Sequence, residues 1–433
     1  MLIIVIGCGA AFAASAAQTE VAGAIAGRPP APGYASVREP PYSAAADGRT
    51  DDTSAFQRAL DAVHTAGGGI VFVPTGTYLI ATHLRVPAGT ALVGVGCAPQ
   101  AYSPKEPGST LLAIEGAGHA AGTPFLSLMG PNSTIEGITV FYPRQTVSNP
   151  PVEYPWTIRG GGGGDSVSII NVLLVNPFQA VDLATNSTQR HYIRGLYGQP
   201  LSKGIWVDQC YDIGRIKDVH FWPFWSLDKS IVEYTTTHAT TFIFQRTDWE
   251  IVDDIFAWGY NVGVELSASK YGAMNGQMAN VNLDNVNVGL DVSSTQPYAV
   301  HVSNLNIANA GAGTDHVAIW GRRSTGSAQL AIRGGSFWGQ LNQVLRWEIP
   351  GSISVSDSRL VEWRGSGPVV ELLAGDALIH DNIFANGWNP KEEVTAIYVG
   401  PGAGGVLIHD NQLHGNRVDA GQAPRALVSN NQQ

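Results

Sequence analysis

One short pattern recurs through most of this chain: apolar residues, a small or Asn/Asp residue, then apolar again. It appears as Ile135-Glu136-Gly137-Ile138, Ile169-Ile170-Asn171-Val172, Ile193-Arg194-Gly195-Leu196, Ile216-Lys217-Asp218-Val219 and Val252-Asp253-Asp254-Ile255. Later copies are Leu283-Asp284-Asn285-Val286, Val302-Ser303-Asn304-Leu305, Ile379-His380-Asp381-Asn382 and Ile408-His409-Asp410-Asn411. Copies separated by roughly 21 to 36 residues are each too short to bury an apolar face alone, and stacking them gives a solenoid. The expected fold is therefore all-β, a right-handed parallel β-helix. Asp218, Asp254, Asn382 and Asn411 are expected to be turn residues, since Asn and Asp tolerate left-handed backbone.

A second column lies between these copies. It includes Ala180-Val181-Asp182-Leu183, Gly204-Ile205-Trp206-Val207-Asp208, Thr241-Phe242-Ile243-Phe244-Gln245, Gly263-Val264-Glu265-Leu266 and Gly289-Leu290-Asp291-Val292. Alternate residues of a strand face opposite sides. The flanking apolar residues should point inward, leaving Asp182, Trp206, Asp208, Gln245, Glu265 and Asp291 on one outer face. Rungs sit about 4.7 to 4.9 Å apart, which puts Glu265 and Asp291 about 5 Å from each other.

A chain of 433 residues is long for one domain unless it grows by repeats. Residues 42–433 are accordingly read as one β-helix domain, preceded by a Pro/Gly-rich leader over 18–41. Residues 1–17 read as a signal peptide, with an apolar run from Leu2 and an A-x-A site at Ala14-Ser15-Ala16. A lipobox ending at Cys8 is the rival reading. Either implies a secreted or periplasmic protein, and no later stretch reaches the ~18 apolar residues of a membrane span. Cys97 and Cys210 then stand as a disulfide or as two free thiols. The formal net charge of -10, without a basic run, excludes nucleic acid as a partner.

Residues Ala46 to Ser54 lead into Ala55–Val63, where Phe56, Leu60 and Val63 fall at helical spacing and Ser54 with Gln57 suggests a capping box. Gly67-Gly68-Gly69 ends this helix before the strands Ile70–Val73 and Thr77–Ile80. Such a helix would cover the open end of a solenoid. The run from Asp47-Gly48-Arg49-Thr50-Asp51-Asp52-Thr53 through Gly67-Gly68-Gly69-Ile70-Val71-Phe72-Val73-Pro74 resembles the opening of pectate-lyase-superfamily proteins labelled family-28-related glycoside hydrolases. Tyr154–Gly160, Asp208–Ile216 and Arg246–Glu250 are similar to a bacterial subgroup of these proteins. The resemblance implies a parallel β-helix acting on carbohydrate. The Asp-Asp and Gly-His-Gly motifs of polygalacturonases and the arginine and calcium-site patterns of pectate lyases do not stand out, so no catalytic residue carries over.

Chemistry-bearing residues are dense between Asp208 and Glu265. Glycoside hydrolysis needs a carboxylic acid and a second carboxylate about 5 to 9.5 Å apart, and the expected set is Asp208, Asp212, Asp248, Glu250 and Glu265. Asp248 and Glu250 share a side if their strand is regular, and Asp212 and Asp248 should stack on successive coils. Trp206, Trp222, Trp225 and Trp249 would bind sugar rings, with His220, Arg215 and Arg246 as polar partners. The first expectation is a hydrolase of a neutral polysaccharide or oligosaccharide that needs no cofactor. One alternative is a uronate lyase using calcium or basic residues among Arg159, Arg190, His191, Tyr192 and Arg194; another is a non-catalytic glycan-binding β-helix. Parallel β-helices often assemble as trimers, so under any of these readings a homotrimer is the candidate oligomer.

Overall fold

The computed structural model describes residues 33–96, 108–161, 163, 165–309, 316–364, 367–386 and 394–432. The proposed signal peptide and Cys97 lie outside the described residues.

The period-two alternation seen in the sequence becomes columns of identical orientation on stacked coils. Val181, Ile205, Phe242, Val264, Leu290, Ile319, Leu345, Val370 and Ile397 are in register on successive parallel strands and face inward. Ile169, Ile193, Ile216, Val252, Met278, Val302, Ile332, Val355, Ile379 and Ile408 form a second inward column. Both columns are buried. Each such side chain contributes about 1.5 to 3 kcal/mol on burial, so the continuous column is what holds the coils together. The strands form one 21-stranded and one 13-stranded sheet, and every pairing between named strands is parallel. This is a right-handed parallel β-helix.

The bend within the larger sheet uses the expected turn residues. Asn171, Asp218, Asp254 and Asn304 all have φ between 52 and 55°, and the equivalent residue of the intervening coil is Asn280, φ 54°, which the repeat pattern does not pick out. Near the C-terminus the left-handed residues are Asp381 and Asp410, one position before the expected Asn382 and Asn411. Those two asparagines are buried and form a ladder instead: Asn382 Oδ1 accepts from Ser358 N at 3.0 Å, and Asn411 Oδ1 accepts from Asn382 N at 3.1 Å. They satisfy backbone groups that the bend leaves unpaired.

The helix Thr53–Thr65 buries Phe56, Leu60 and Val63 against the first coils, as the spacing predicts. The capping box does not form. Asp52 is the N-cap residue, and its carboxylate holds Ala45 N and Ala46 N rather than the helix. The solenoid also starts earlier than residue 42: Tyr34–Ser36 pairs with Ile70–Phe72. A second helix, Lys229–His238, interrupts the coil between Phe221 and Thr240, with Asp228 capping Ser230 N. No described helix is long and apolar enough to cross a membrane.

Candidate active site

The outer face of the 13-stranded sheet carries one uninterrupted column: Arg159, Asp182, Trp206, Ile243, Glu265, Asp291, Trp320, Arg346, Glu371 and Tyr398. Their shared orientation follows from strand parity, each standing one residue after a member of the inward apolar column.

The N-terminal rungs of this column are closed. Asp182 is fully buried, ion-paired to Arg159 at 2.6 Å and accepting from Ala184 N, Thr185 N and Thr185 Oγ1. Trp206 stacks on Trp156 with centroids 6.1 Å apart, lies under Lys203, and donates from Nε1 to Gln245 Oε1 at 3.0 Å. Its faces are therefore occupied.

The centre of the column is different. Glu265 is half-buried and has no hydrogen bond or ion pair among the described residues. Its in-register neighbour Asp291 is held by Arg322 Nε at 2.6 Å. Burial pushes the Asp291 carboxyl pKa up, with the Arg322 bond and charge pulling it back. Arg322 is itself placed by the ring of Trp320, 3.8 Å below its guanidinium. Trp320 Nε1 donates to Glu348 Oε2 at 2.9 Å, and Arg346 pairs with Glu348 at 3.1 Å and lies 3.8 Å from Glu371. Two carboxylates one rung apart, one unpaired and one biased toward its protonated form, can divide the tasks of base and acid.

The turns that follow these strands form a second feature. Tyr211, Trp249, Tyr271 and Tyr298, from four successive coils, are all exposed, Trp249 at 65% and Tyr298 at 75%. Arg246 lies over one face of Tyr211 at 5.3 Å and Lys270 over one face of Tyr271 at 4.8 Å, and the remaining aromatic faces suit the apolar faces of sugar rings.

Most of the carboxylates expected to be catalytic are otherwise engaged. Asp208 is buried, and its Oδ1 accepts from Gln209 N, Arg246 N and Ser269 Oγ, which ties two turns together. Asp212 is exposed and paired to Arg190 at 2.5 Å. Asp248 is gripped by both terminal nitrogens of Arg246, at 2.5 and 2.8 Å, and also accepts from Gln296. Arg246 thus orients a carboxylate as expected, but one that is saturated. Glu250 lies inside the coil, fully buried against His191 at 2.7 Å. The same-side argument for Asp248 and Glu250 fails because Trp249 between them has φ 59°, which breaks the alternation. Of the expected set, only Glu265 stands open on the wall.

The expected binding residues also separate. Trp249 is on the turn edge. His220 and Trp222 belong to the outer face of the larger sheet, where His220 packs among Tyr197, Phe224 and Phe256, and Trp222 lies 5.4 Å from Trp258. Burial lowers the His220 pKa, so the ring is neutral near pH 7. Trp225 packs against the core, its loop fixed by Gln199 Oε1 accepting from Trp225 N and Ser226 N. Among the described residues Arg215 bonds only Ile213 O. The basic run expected to serve a lyase is dispersed: Arg190 points out to Asp165 and Asp212, whereas His191 points in.

The sequence reading missed Trp320 and Arg322. Ala318-Ile319-Trp320-Gly321 repeats the small-apolar-X-apolar pattern of Gly289-Leu290-Asp291-Val292 and could have been placed from it. An open cleft of about 730 Å³ lies beside the N-terminal helix. Its polar residues hold that helix in place, Gln57 bonding Arg85 and His64 bonding Ala88 O.

A family profile described as "Rhamnogalacturonase A/epimerase, pectate lyase-like" matches residues 36–115. Over 39 residues the chain is 54% identical to alginate lyase 7 of Azotobacter vinelandii, a match spanning 9% of this chain and 5% of that protein. The A-module of the Azotobacter vinelandii mannuronan C-5 epimerase AlgE4 superposes with a TM-score of 0.54 at 15% identity, covering 92% of this chain and all (100%) of that one. An exopolygalacturonase from Thermotoga maritima gives a TM-score of 0.51 at 13% identity, over 83% of this chain and 93% of that one. The chain has the fold of a right-handed parallel β-helix, and its residues 36–115 are similar to the pectate-lyase-like profile.

Proposed function

We propose that this protein is a secreted carbohydrate-active enzyme that hydrolyses a neutral polysaccharide or oligosaccharide lying along the outer wall. The observation that carries this reading is the in-register pair Glu265 and Asp291, one unpaired and one tuned toward its protonated form. In this reading Asp291 protonates the leaving oxygen and Glu265 attacks the sugar or activates water. The exposed Tyr211, Trp249, Tyr271 and Tyr298 offer ring faces to the glycan. A neutral glycan fits because the column's arginines Arg159, Arg322 and Arg346 already face carboxylates. The signal-like segment at residues 1–17 agrees with action on a glycan outside the cytoplasm.

The test is a panel of neutral and uronate polysaccharides, with and without calcium, following reducing ends and ultraviolet absorbance together. New reducing ends without absorbance on a neutral glycan are expected. Absorbance from a new C4–C5 double bond would replace this reading with a lyase, and silence on both channels across the panel would replace it with glycan binding.

A further inference from the structure

The interior of the coil is mostly apolar, and among the described residues one polar island gathers metal-ligating side chains. His191, Gly214 and Glu250 occupy one inward position on three successive rungs, each directly preceding the in-register residues Tyr192, Arg215 and Ile251. The His191 and Glu250 side chains meet across the middle rung. Only glycine fits there, because a Cβ on Gly214 would lie 2.2 Å from His191 Nε2 and 2.6 Å from Glu250 Oε1. Cys210, from the turn leading into Gly214, completes the cluster. One ligand atom each from His191, Cys210 and Glu250 lie within 4.8 Å of one another, and all three residues are buried.

An ordinary ion pair does not account for what surrounds it. Glu250 Oε2 is buried with no partner, and so is Thr247 Oγ1. Thr247 bridges to Cys210 on the adjacent coil and so lies beside it. Leaving a buried acceptor bare is unfavourable, and more so when it is charged. His191 Nδ1 faces Thr188 O at 3.3 Å, the backbone support typical of a metal-bound imidazole, which directs Nε2 into the cluster.

We propose that His191, Cys210 and Glu250, with Thr247 Oγ1 in the fourth position, form a closed structural site for one zinc-class divalent ion. Imidazole, thiolate and carboxylate are the donors such an ion takes in tetrahedral sites. Binding displaces the proton between His191 and Glu250 and the thiol proton of Cys210, both released to water. A +2 ion with one thiolate, one carboxylate and a neutral imidazole leaves the dry interior uncharged. The Nε2 to Oε1 contact of 2.7 Å opens to about 3.3 Å around an ion with bonds of about 2.0 to 2.2 Å. Because the site is sealed, the ion enters during folding and staples the coils that flank the Lys229–His238 insertion.

The test is to produce the full chain in medium supplemented with Zn²⁺ or with Co²⁺ and to measure metal per chain and the near-ultraviolet thiolate-to-cobalt band. About one ion per chain and a cobalt band are expected, with the band lost in C210S and metal content falling at least tenfold in C210A. A ratio near zero from both media overturns the proposal without any variant. An unchanged band in C210S, or full metal content in folded C210A, also overturns it. Glycan cleavage is not read in this experiment, so its outcome is independent of the catalytic assignment.

Discussion

Asp291 and Arg322 set each other's chemistry. Burial favours the neutral carboxylic acid and the guanidinium favours the carboxylate, and burial prevails. A general acid works only while protonated, so activity should fall as pH rises through the Asp291 pKa. Removing the opposing charge in R322Q raises that pKa further. The alkaline limb of the kcat profile should therefore move to higher pH in R322Q; an alkaline limb that stays put or moves down would remove Asp291 as the acid. The same shift has a stability consequence. A carboxyl whose folded pKa is raised binds its proton more tightly when folded, so its contribution weakens as pH rises from the unfolded value through the folded one. At the turn edge, W249A should raise KM several-fold with kcat nearly unchanged, since its ring contacts substrate before and after the reaction alike. A fall in kcat at constant KM would place Trp249 elsewhere in the cycle.

Strand register turns two ordinary carboxylates into a pair. Neighbouring strands set their Cα atoms about 4.8 Å apart, nearer to the carboxyl spacing of about 5 to 5.5 Å in retaining glycosidases than to the wider inverting range. The product should thus keep the anomeric configuration of the substrate, which proton NMR of the first product reads directly; inversion would contradict the pairing. The columns were legible in the sequence because period-two alternation survives inside each rung, and Asp182, Glu265 and Asp291 all face outward as that alternation requires. Whether an outward residue is open was not legible. Asp182 is covered by Arg159 and its own turn, and Asp208 is spent on joining Gln209, Arg246 and Ser269. Glu250 was misplaced because the left-handed backbone of Trp249 leaves no mark in a periodicity. The polar island was invisible for a different reason: His191, Cys210 and Glu250 come from different coils, with a helical insertion in between. Its packing is testable at Gly214. G214A should lower the thermal midpoint sharply, because the added methyl meets His191 at 2.2 Å, whereas an unchanged midpoint would show that the cluster is loose.

A solenoid has nearest-neighbour energetics, so its ends and its columns matter more than any single loop. Phe56 is fully buried and packs edge-on to Tyr78 at 5.1 Å, fastening the N-terminal helix over the open end. F56A should cost about 3 to 5 kcal/mol and expose strand edges, with aggregation below the unfolding midpoint of the rest. In mid-solenoid, L290A should cost about 2 to 5 kcal/mol; denaturant titration checks both. The wall is rigid because this column lies directly behind it, Leu290 being the residue before Asp291. That packing is what holds the two carboxylates on neighbouring rungs at a fixed separation. The most direct measurement of the account is the rate of reducing-end release from a neutral glycan by the wild-type chain, E265Q, D291N and D212N. The account predicts losses of about 10²- to 10⁴-fold in E265Q and in D291N, with D212N near wild type. Wild-type rates in E265Q and D291N, or an equal loss in D212N, would contradict it.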